Sequence, residues 1–389
     1  MTDATPLTEP ALLANIQAIA PIIRAEAAKF DLERRLTDAA HEALKSTGVY
    51  RMPIPQSWGG PELDPLAQTR VIEAISAIDG SAGWCAMIGS DGGYLTSFLD
   101  DAVGRQMYPD LDTSSVFVIA PTGAAMPVDG GYRVTGRWPF ASGSAHASWF
   151  AFGCIVPEAT GPRMLKPNLP EVRVCVFPRD QVQIHDTWFT TGVRGSGSND
   201  VSVDGVFVPT ERTFSVIDAP IRRPGPLYAW RFMFIVNMLG VPLGIAQSAL
   251  DEVIEIGPKK LSMRRTPVTE EAWFTAALGE ASALILSARA FGYASLTNLW
   301  ESLRHGAEPT ARVRAEQRLA LVHAFDACTR AVDILYRIAG SSALYTGKSG
   351  LDVKLRDLYA TRQHVLANPV TYSAAGRVLV GLDPGVTAF

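Results

Sequence analysis

The stretch "GRWPFASGSAHASW", Gly136 to Trp149, decides how the rest of the chain is read. It lies between "GGYRVTG" and "SWFAFGCIV", both with the alternating or continuous apolar pattern of β-strands. The stretch itself is built from small and hydroxylated residues, with no β-branched side chain. Ser142, Gly143 and Ser144 would let a flat molecule approach the backbone closely, which valine would prevent. It reads as a binding turn set into a β-domain, with Trp138 and Trp149 on either side.

Working outward, "SVFVIAP", "VRVCVFP" and "DVSVDGVFVP" extend the strand pattern on both sides, with hairpin-type turns at Gly130-Gly131 and Asp204-Gly205. Residues 114–215 therefore form an antiparallel β-domain. Residues 1–113 read as helical: Thr8 caps a helix with Pro10 in its first turn, and Asp64-Pro65 repeats the signal. Between these helices, "MPIPQSWGGPELDP" is a Pro/Gly loop expected to expose Trp58. After a proline-rich aromatic connection over 216–231, helical periodicity returns near 233–256, 269–305, 309–340 and 352–380. Four helices of this length predict an antiparallel bundle over residues 216–389. The fold class is α+β, in the order α, β, four-helix bundle.

Composition narrows the function. Apolar residues make up 47% and charged residues 19% of 389, a globular balance, and the net charge of −4 offers no footprint for nucleic acid. There is no run of roughly 18 apolar residues, so no membrane span is expected, and the opening residues, which lack a basic stretch followed by an apolar one, are not expected to be a signal peptide. The expected location is the cytoplasm. Cys85, Cys154, Cys175 and Cys328 are widely spaced and read as buried free thiols, with neither a disulfide framework nor a metal site.

Several chemistries lose their signature. The nearest approach to a dinucleotide-binding glycine motif, "GVRGSGSND", lies between strands and opens no helix, so it reads as a turn. The chain contains no P-loop, no H-E-x-x-H, no C-x-x-C and no G-x-S-x-G elbow.

Four stretches carry a resemblance: "IPQSWGGPELDP", "GRWPFASGSAHASW", "DTWFTTGVRGSGSNDVSVDGVFVPTER" and "KLRDLYATRQHVLANP". Together they resemble the acyl-CoA dehydrogenase fold over nearly the whole chain. Within it, the "SG" followed by "HASW", the "GVRGSGSN" and the "QH" after "RD" are similar to the oxygenase components of two-component flavin-dependent monooxygenases, such as the hydroxylases of steroid-derived phenols and 4-hydroxyphenylacetate. That resemblance implies reduced FMN or FAD as cofactor, delivered by a separate NAD(P)H:flavin reductase. Dioxygen would add to the flavin as a C4a-hydroperoxide, and one oxygen atom would pass to a small aromatic or apolar substrate by hydroxylation or N-oxygenation. The alternative is a flavoprotein that oxidises an acyl thioester. That reaction needs a carboxylate base, yet no glutamate follows Glu316, leaving Glu252 or Glu255 as substitutes.

The resemblance also distributes roles. Ser142 would hydrogen-bond the flavin near N5, with Gly143 beside it and Trp138 packed near the ring. His364 matches a histidine used as acid and base, which suits an imidazole with an unperturbed pKa of about 6.5. On a continuous helix from about 352, Asp357, Thr361, His364 and Asn368 would share one stripe. Asp91, in "IGSDGGYL", stands where several such enzymes place a second histidine, and could accept a proton or pair with a cationic amine. His146 is expected to make a structural hydrogen bond within the β-domain. Arg264 and Arg265 would face a neighbouring subunit's flavin phosphate. Gly340 and Ser341, in "AGSSALY", would approach a neighbour's cofactor, which together implies a homotetramer.

Overall fold

The computed structural model describes residues 7–345 and 347–386. The N-terminal helices begin where the caps place them. Thr8 accepts a hydrogen bond from Ala11 N at the start of α1 (Glu9–Glu33), and Asp64 accepts from Ala67 N at the start of α3 (Pro65–Ile78). Between them lies α2 (Asp38–Thr47), and after them come α4 (Gly80–Gly89), the single turn α5 (Gly92–Leu95) and α6 (Asp101–Met107). The Pro/Gly loop does not expose Trp58. Its indole is buried, donates to Asp101 Oδ1 at 2.9 Å and lies under the Arg223 guanidinium.

The middle domain is built on a seven-stranded sheet with strands β1 (Ser115–Val128), β2 (Gly131–Ala141), β3 (Trp149–Ile155), β4 (Val172–Pro178), β5 (Gln183–His185), β6 (Asn199–Pro209) and β7 (Thr213–Phe214), with two short two-stranded hairpins between β3 and β4. Their order is β7-β4-β3-β1-β2-β6-β5, antiparallel throughout except for the parallel pair β1–β3. The inward residues of β2 alternate, with Tyr132, Val134 and Trp138 on the core side.

The connection over 216–231 is strapped down. Arg222 N donates to Ser97 O, Arg223 Nη1 to Gly93 O and Thr96 Oγ1, and the Tyr228 hydroxyl to Pro53 O. Tyr228, Trp230 and Phe234 are buried in the core shared by the first domain, the sheet and the bundle, so they serve as packing.

The bundle is built from α7 (Gly240–Ile256), α8 (Ala272–Arg304) and α9 (Ala311–Ala339), with α10 (Leu351–Thr361) and α11 (Val370–Leu379) where the sequence predicts one helix over 352–380. The chain breaks between them because Pro369 disfavours helix at Asn368. A 3-10 turn, Val365–Ala367, fills the gap. Asp357 and Thr361 are consequently buried, while His364 leaves their stripe to cap that turn. Among the described residues, three helical segments are long and apolar enough to cross a membrane by length and composition; for Met233–Lys259, 89% of that apolar window is buried inside the protein and so serves the core. All four cysteines are buried and free.

Candidate active site

The turn after β2 is held from below by the "GVRGSGSN" loop. Gly143 N donates to Ser196 O at 2.8 Å, Ser144 Oγ to Gly197 O at 3.1 Å, and Ser142 Oγ lies 2.7 Å from Ser198 Oγ, which lies 2.6 Å from Ser196 Oγ. That glycine-rich loop opens no α-helix; its function is to support the turn. From the first domain, Trp84 on α4 donates its indole N–H to Ser142 Oγ at 2.9 Å. When Ser142 donates to Ser198 and Ser198 to Ser196, the Trp84 indole fills one acceptor position of Ser142 and the other is free to accept from a ligand.

Gly143 has φ +76°, and a Cβ there would meet nothing within 4 Å. The backbone at this point is therefore both left-handed and open on its outer side, a surface against which a flat ring can lie. Phe140, with φ 64°, stands exposed beside it and meets Trp188 edge-on at 6.3 Å.

His364 reaches the same place from the bundle. Its ring meets Trp84 edge-on at 5.5 Å. His364 Nδ1 accepts from Leu366 N at 3.3 Å, so a neutral ring carries its proton on Nε2. Burial, and after it the charge of Arg318, lower its pKa to about 4. Trp84, Ser142 and His364 thus converge from three domains. Trp84 has no signal in the sequence beyond being a tryptophan among the small residues of "GSAGWCAM".

Other expected residues fall elsewhere. Trp138 is corrected: it is fully buried in the sheet's core, stacks on Phe152 at 4.6 Å and donates to Gly153 O at 2.7 Å, so it cannot pack on a flavin. Its indole lies over Gly123 and Gly136, where any Cβ would collide with it. Asp91 is buried beside Tyr94 and Tyr108; its carboxyl accepts no hydrogen bond among the described residues, and burial holds its pKa well above the carboxylate range. No hydrogen bond joins it to Ser142 or His364. His146 bonds Leu36 O at 3.0 Å and stacks on His41, so its hydrogen bond ties the sheet to the first domain and does not lie within the β-domain.

Arg264 is exposed at the tip of a turn closed by the Leu261–Pro267 bridge. Lys260, at the base of that turn, donates to Ile338 O and Ala339 O, just before Gly340 and Ser341. These residues share one end of the bundle, with no contact to Ser142 in the same chain among the described residues. Glu252 is held by Lys354 Nζ at 2.5 Å, Ser349 Oγ at 2.6 Å and Gly350 N at 2.9 Å, while Glu255 pairs with Lys259 on the surface. Neither is free to act as a base.

Comparison with known proteins fits this arrangement. Residues 16–111 match the acyl-CoA dehydrogenase N-terminal domain and residues 238–369 the acyl-CoA dehydrogenase C-terminal domain. The chain is 32% identical to an indole-3-acetate monooxygenase of Pseudomonas putida, over 93% of this chain and 91% of that protein. It is 30% identical to a flavin-dependent monooxygenase oxygenase subunit of Rhodococcus jostii, over 91% and 94%. Among solved structures, XiaF from Streptomyces, in complex with FADH2 and glycerol, superposes with a TM-score of 0.90 at 25% identity, covering 97% of each chain.

Proposed function

Because the chain belongs to the acyl-CoA dehydrogenase family, in its flavin-dependent monooxygenase branch, we propose that it is the oxygenase component of a two-component system that inserts one oxygen atom of O2 into a small aromatic substrate. The observation that carries this reading is the convergence of Trp84, Ser142 and His364 beside the open backbone at Gly143. When bound, reduced FMN or FAD supplies the activation of dioxygen. The residues present fit such a ring. Gly143 leaves its outer side clear, and the Ser142 oxygen can accept from the N5–H that a reduced flavin carries. Trp84 fixes that hydroxyl in place and helps close the site to water.

His364 holds a proton at Nε2 and offers it to an oxygen of the substrate. Burial pushes the Asp91 carboxyl toward its neutral form, which disfavours pairing with a cationic amine and favours hydroxylation over amine N-oxygenation. Acyl-thioester oxidation is disfavoured by the occupied Glu252 and the surface ion pair of Glu255.

A separate NAD(P)H:flavin reductase would deliver the reduced flavin. Arg264, Gly340 and Ser341 lie away from Ser142 in their own chain, which supports a site completed by a neighbouring subunit in a homotetramer. Buried, unpaired cysteines suit the reducing cytoplasm.

The test is a single turnover with anaerobically reduced FAD or FMN, mixed with labelled dioxygen and an aromatic substrate panel. Label in a hydroxylated product supports the reading. Stoichiometric hydrogen peroxide with no product across the panel, together with dye reduction by an acyl-CoA, overturns it.

A further inference from the structure

Arg318, on α9, is the buried charge that the fold leaves uncompensated. It is 4% exposed, and among the described residues its guanidinium makes no hydrogen bond and has no carboxylate within ion-pairing distance; Nε and Nη1 are wholly enclosed. Partly buried guanidinium groups in this protein are treated differently. Arg223 donates to Gly93 O and Thr96 Oγ1 and lies over the rings of Trp58 and Tyr228. Arg289 is bound to Glu73 at 2.6 Å. Burial lowers the Arg318 pKa only to about 10, so the group remains a cation at neutral pH. An enclosed ion without a partner costs several kcal/mol, roughly, and a protein retains one where a ligand supplies the counter-charge.

Its surroundings belong to the candidate active site. Arg318 is the charged group whose field acts on His364. Helix α9 packs both on the turn Val365–Ala367 that His364 caps and on the 3-10 turn Met233–Leu239. The latter buries Asn237 with neither its amide nitrogen nor its oxygen partnered. His364 is neutral with Nδ1 accepting a backbone N–H, and burial pushes Asp91 toward its neutral form. The charge that acts on His364 is that of Arg318, and it is positive.

We propose that Arg318 receives the carboxylate of an anionic aromatic substrate, so that the enzyme acts on aryl-carboxylic acids. This rests on the reading of the cleft as an aromatic-oxygenating site. A planar, five-donor guanidinium matches a carboxylate in a bidentate fork, which a neutral phenol cannot offer. The Asn237 amide, on a turn packed against the same helix, is a second unpartnered donor. A second anion that visits the cleft is the reduced flavin itself, and the experiment separates the two.

Flavin-free protein is titrated calorimetrically with indole-3-acetate and, in parallel, with its neutral amide; anaerobic FADH2 and FMNH2 are titrated separately. The acid is expected to bind at least about tenfold more tightly than the amide, a preference worth about 1.4 kcal/mol. Arg318→Gln should abolish that preference and leave reduced-flavin affinity within about twofold, and Arg318→Lys should restore part of it. Arg318→Met should raise the melting temperature of the ligand-free protein, because it removes an uncompensated charge. Equal binding of acid and amide by the native protein, no binding of the acid, or loss of reduced-flavin affinity in Arg318→Gln would each overturn the proposal. These readouts need no turnover, so failure of the oxygenase reading would show separately, as intact discrimination without oxygen insertion.

Discussion

At the residue scale, the site depends on which atoms hold protons. Ser142→Ala removes the acceptor of the Trp84 indole N–H and leaves that buried donor unpaired, at a cost of about 1–3 kcal/mol. It also removes the hydroxyl oxygen offered to the flavin. The expected outcome is less hydroxylated product and more hydrogen peroxide per reduced flavin consumed, read from the peroxide-to-product ratio together with the melting temperature; an unchanged ratio would detach Ser142 from the chemistry. His364 carries a pH signature of its own. Its folded-state pKa of about 4 lies below its free value of 6.5, so between those values the unfolded chain binds a proton that the folded chain refuses. Its contribution therefore lowers stability as pH drops from about 6.5 toward 4 and is flat above 7. His364→Gln should reduce the acid-side loss of melting temperature in that window; an identical profile in both proteins would show that the ring titrates freely. Ser142 was legible because small hydroxylated residues interrupt a strand pattern. Trp138 was misread although its alternation with Tyr132 and Val134 already placed it inside. Arg318 carries no sequence signal, because a lone arginine on an amphipathic helix looks like any solvated one.

At the element scale, the three pieces that carry Trp84, the Ser196–Ser198 support and His364 meet at one joint. Asp357 on α10 accepts Val193 N at 2.6 Å, and its Oδ2 lies 2.7 Å from where a Cβ on Gly80, the first residue of α4, would stand. Gly195 fits between Phe30 and Ser81, and Gly192 lies against the Arg356 carbonyl, so a side chain at either position would force the elements apart. Around Asp357 are Asp79 at the cap of α4, Asp31 on α1, bound by Arg194 and Arg356, and Lys354 on α10 itself. Burial first, and then the Asp79 charge, raise the Asp357 pKa to about 8, while Asp79 is raised to about 6. A carboxyl whose folded pKa is raised holds a proton that the unfolded chain has released, so its contribution to stability is lost as pH rises from about 4 to about 8. Asp357→Asn keeps the oxygen that Val193 needs and cannot ionise. Its melting temperature relative to the native protein should therefore climb between pH 5 and pH 8, whereas Asp357→Ala should be destabilised throughout; a pH-independent difference for Asp357→Asn would refute the account. The sequence showed the α, β, α order and most helix starts through caps and prolines. The joint was hidden, because contacts between Gly80, Gly192 and Asp357 span most of the chain and leave no local pattern.

At the scale of the whole molecule, the bundle keeps an apolar exterior that one chain does not cover. Trp273 and Leu286 on α8 are each more than half exposed, and Met263, beside Arg264 on the adjoining turn, is fully exposed. Large apolar side chains left exposed on an ordered helix are available to an association surface. The proposed homotetramer would bury them and bring Arg264, Gly340 and Ser341 to a neighbour's flavin, which explains why these residues share one end of the bundle and none touches Ser142 in its own chain. The basic and glycine-containing segments were visible in the sequence; the exposed faces of α8 were not, because helix periodicity cannot tell a core-facing stripe from one that faces another subunit. Two changes separate assembly from flavin contact. Trp273→Glu combined with Leu286→Glu should lower the mass measured by light scattering and weaken reduced-flavin binding at the same time. Arg264→Ala should weaken that binding while leaving the mass unchanged. A native protein that runs as a monomer and still binds reduced flavin tightly would show that each chain completes its own site and that the apolar face of α8 serves another partner.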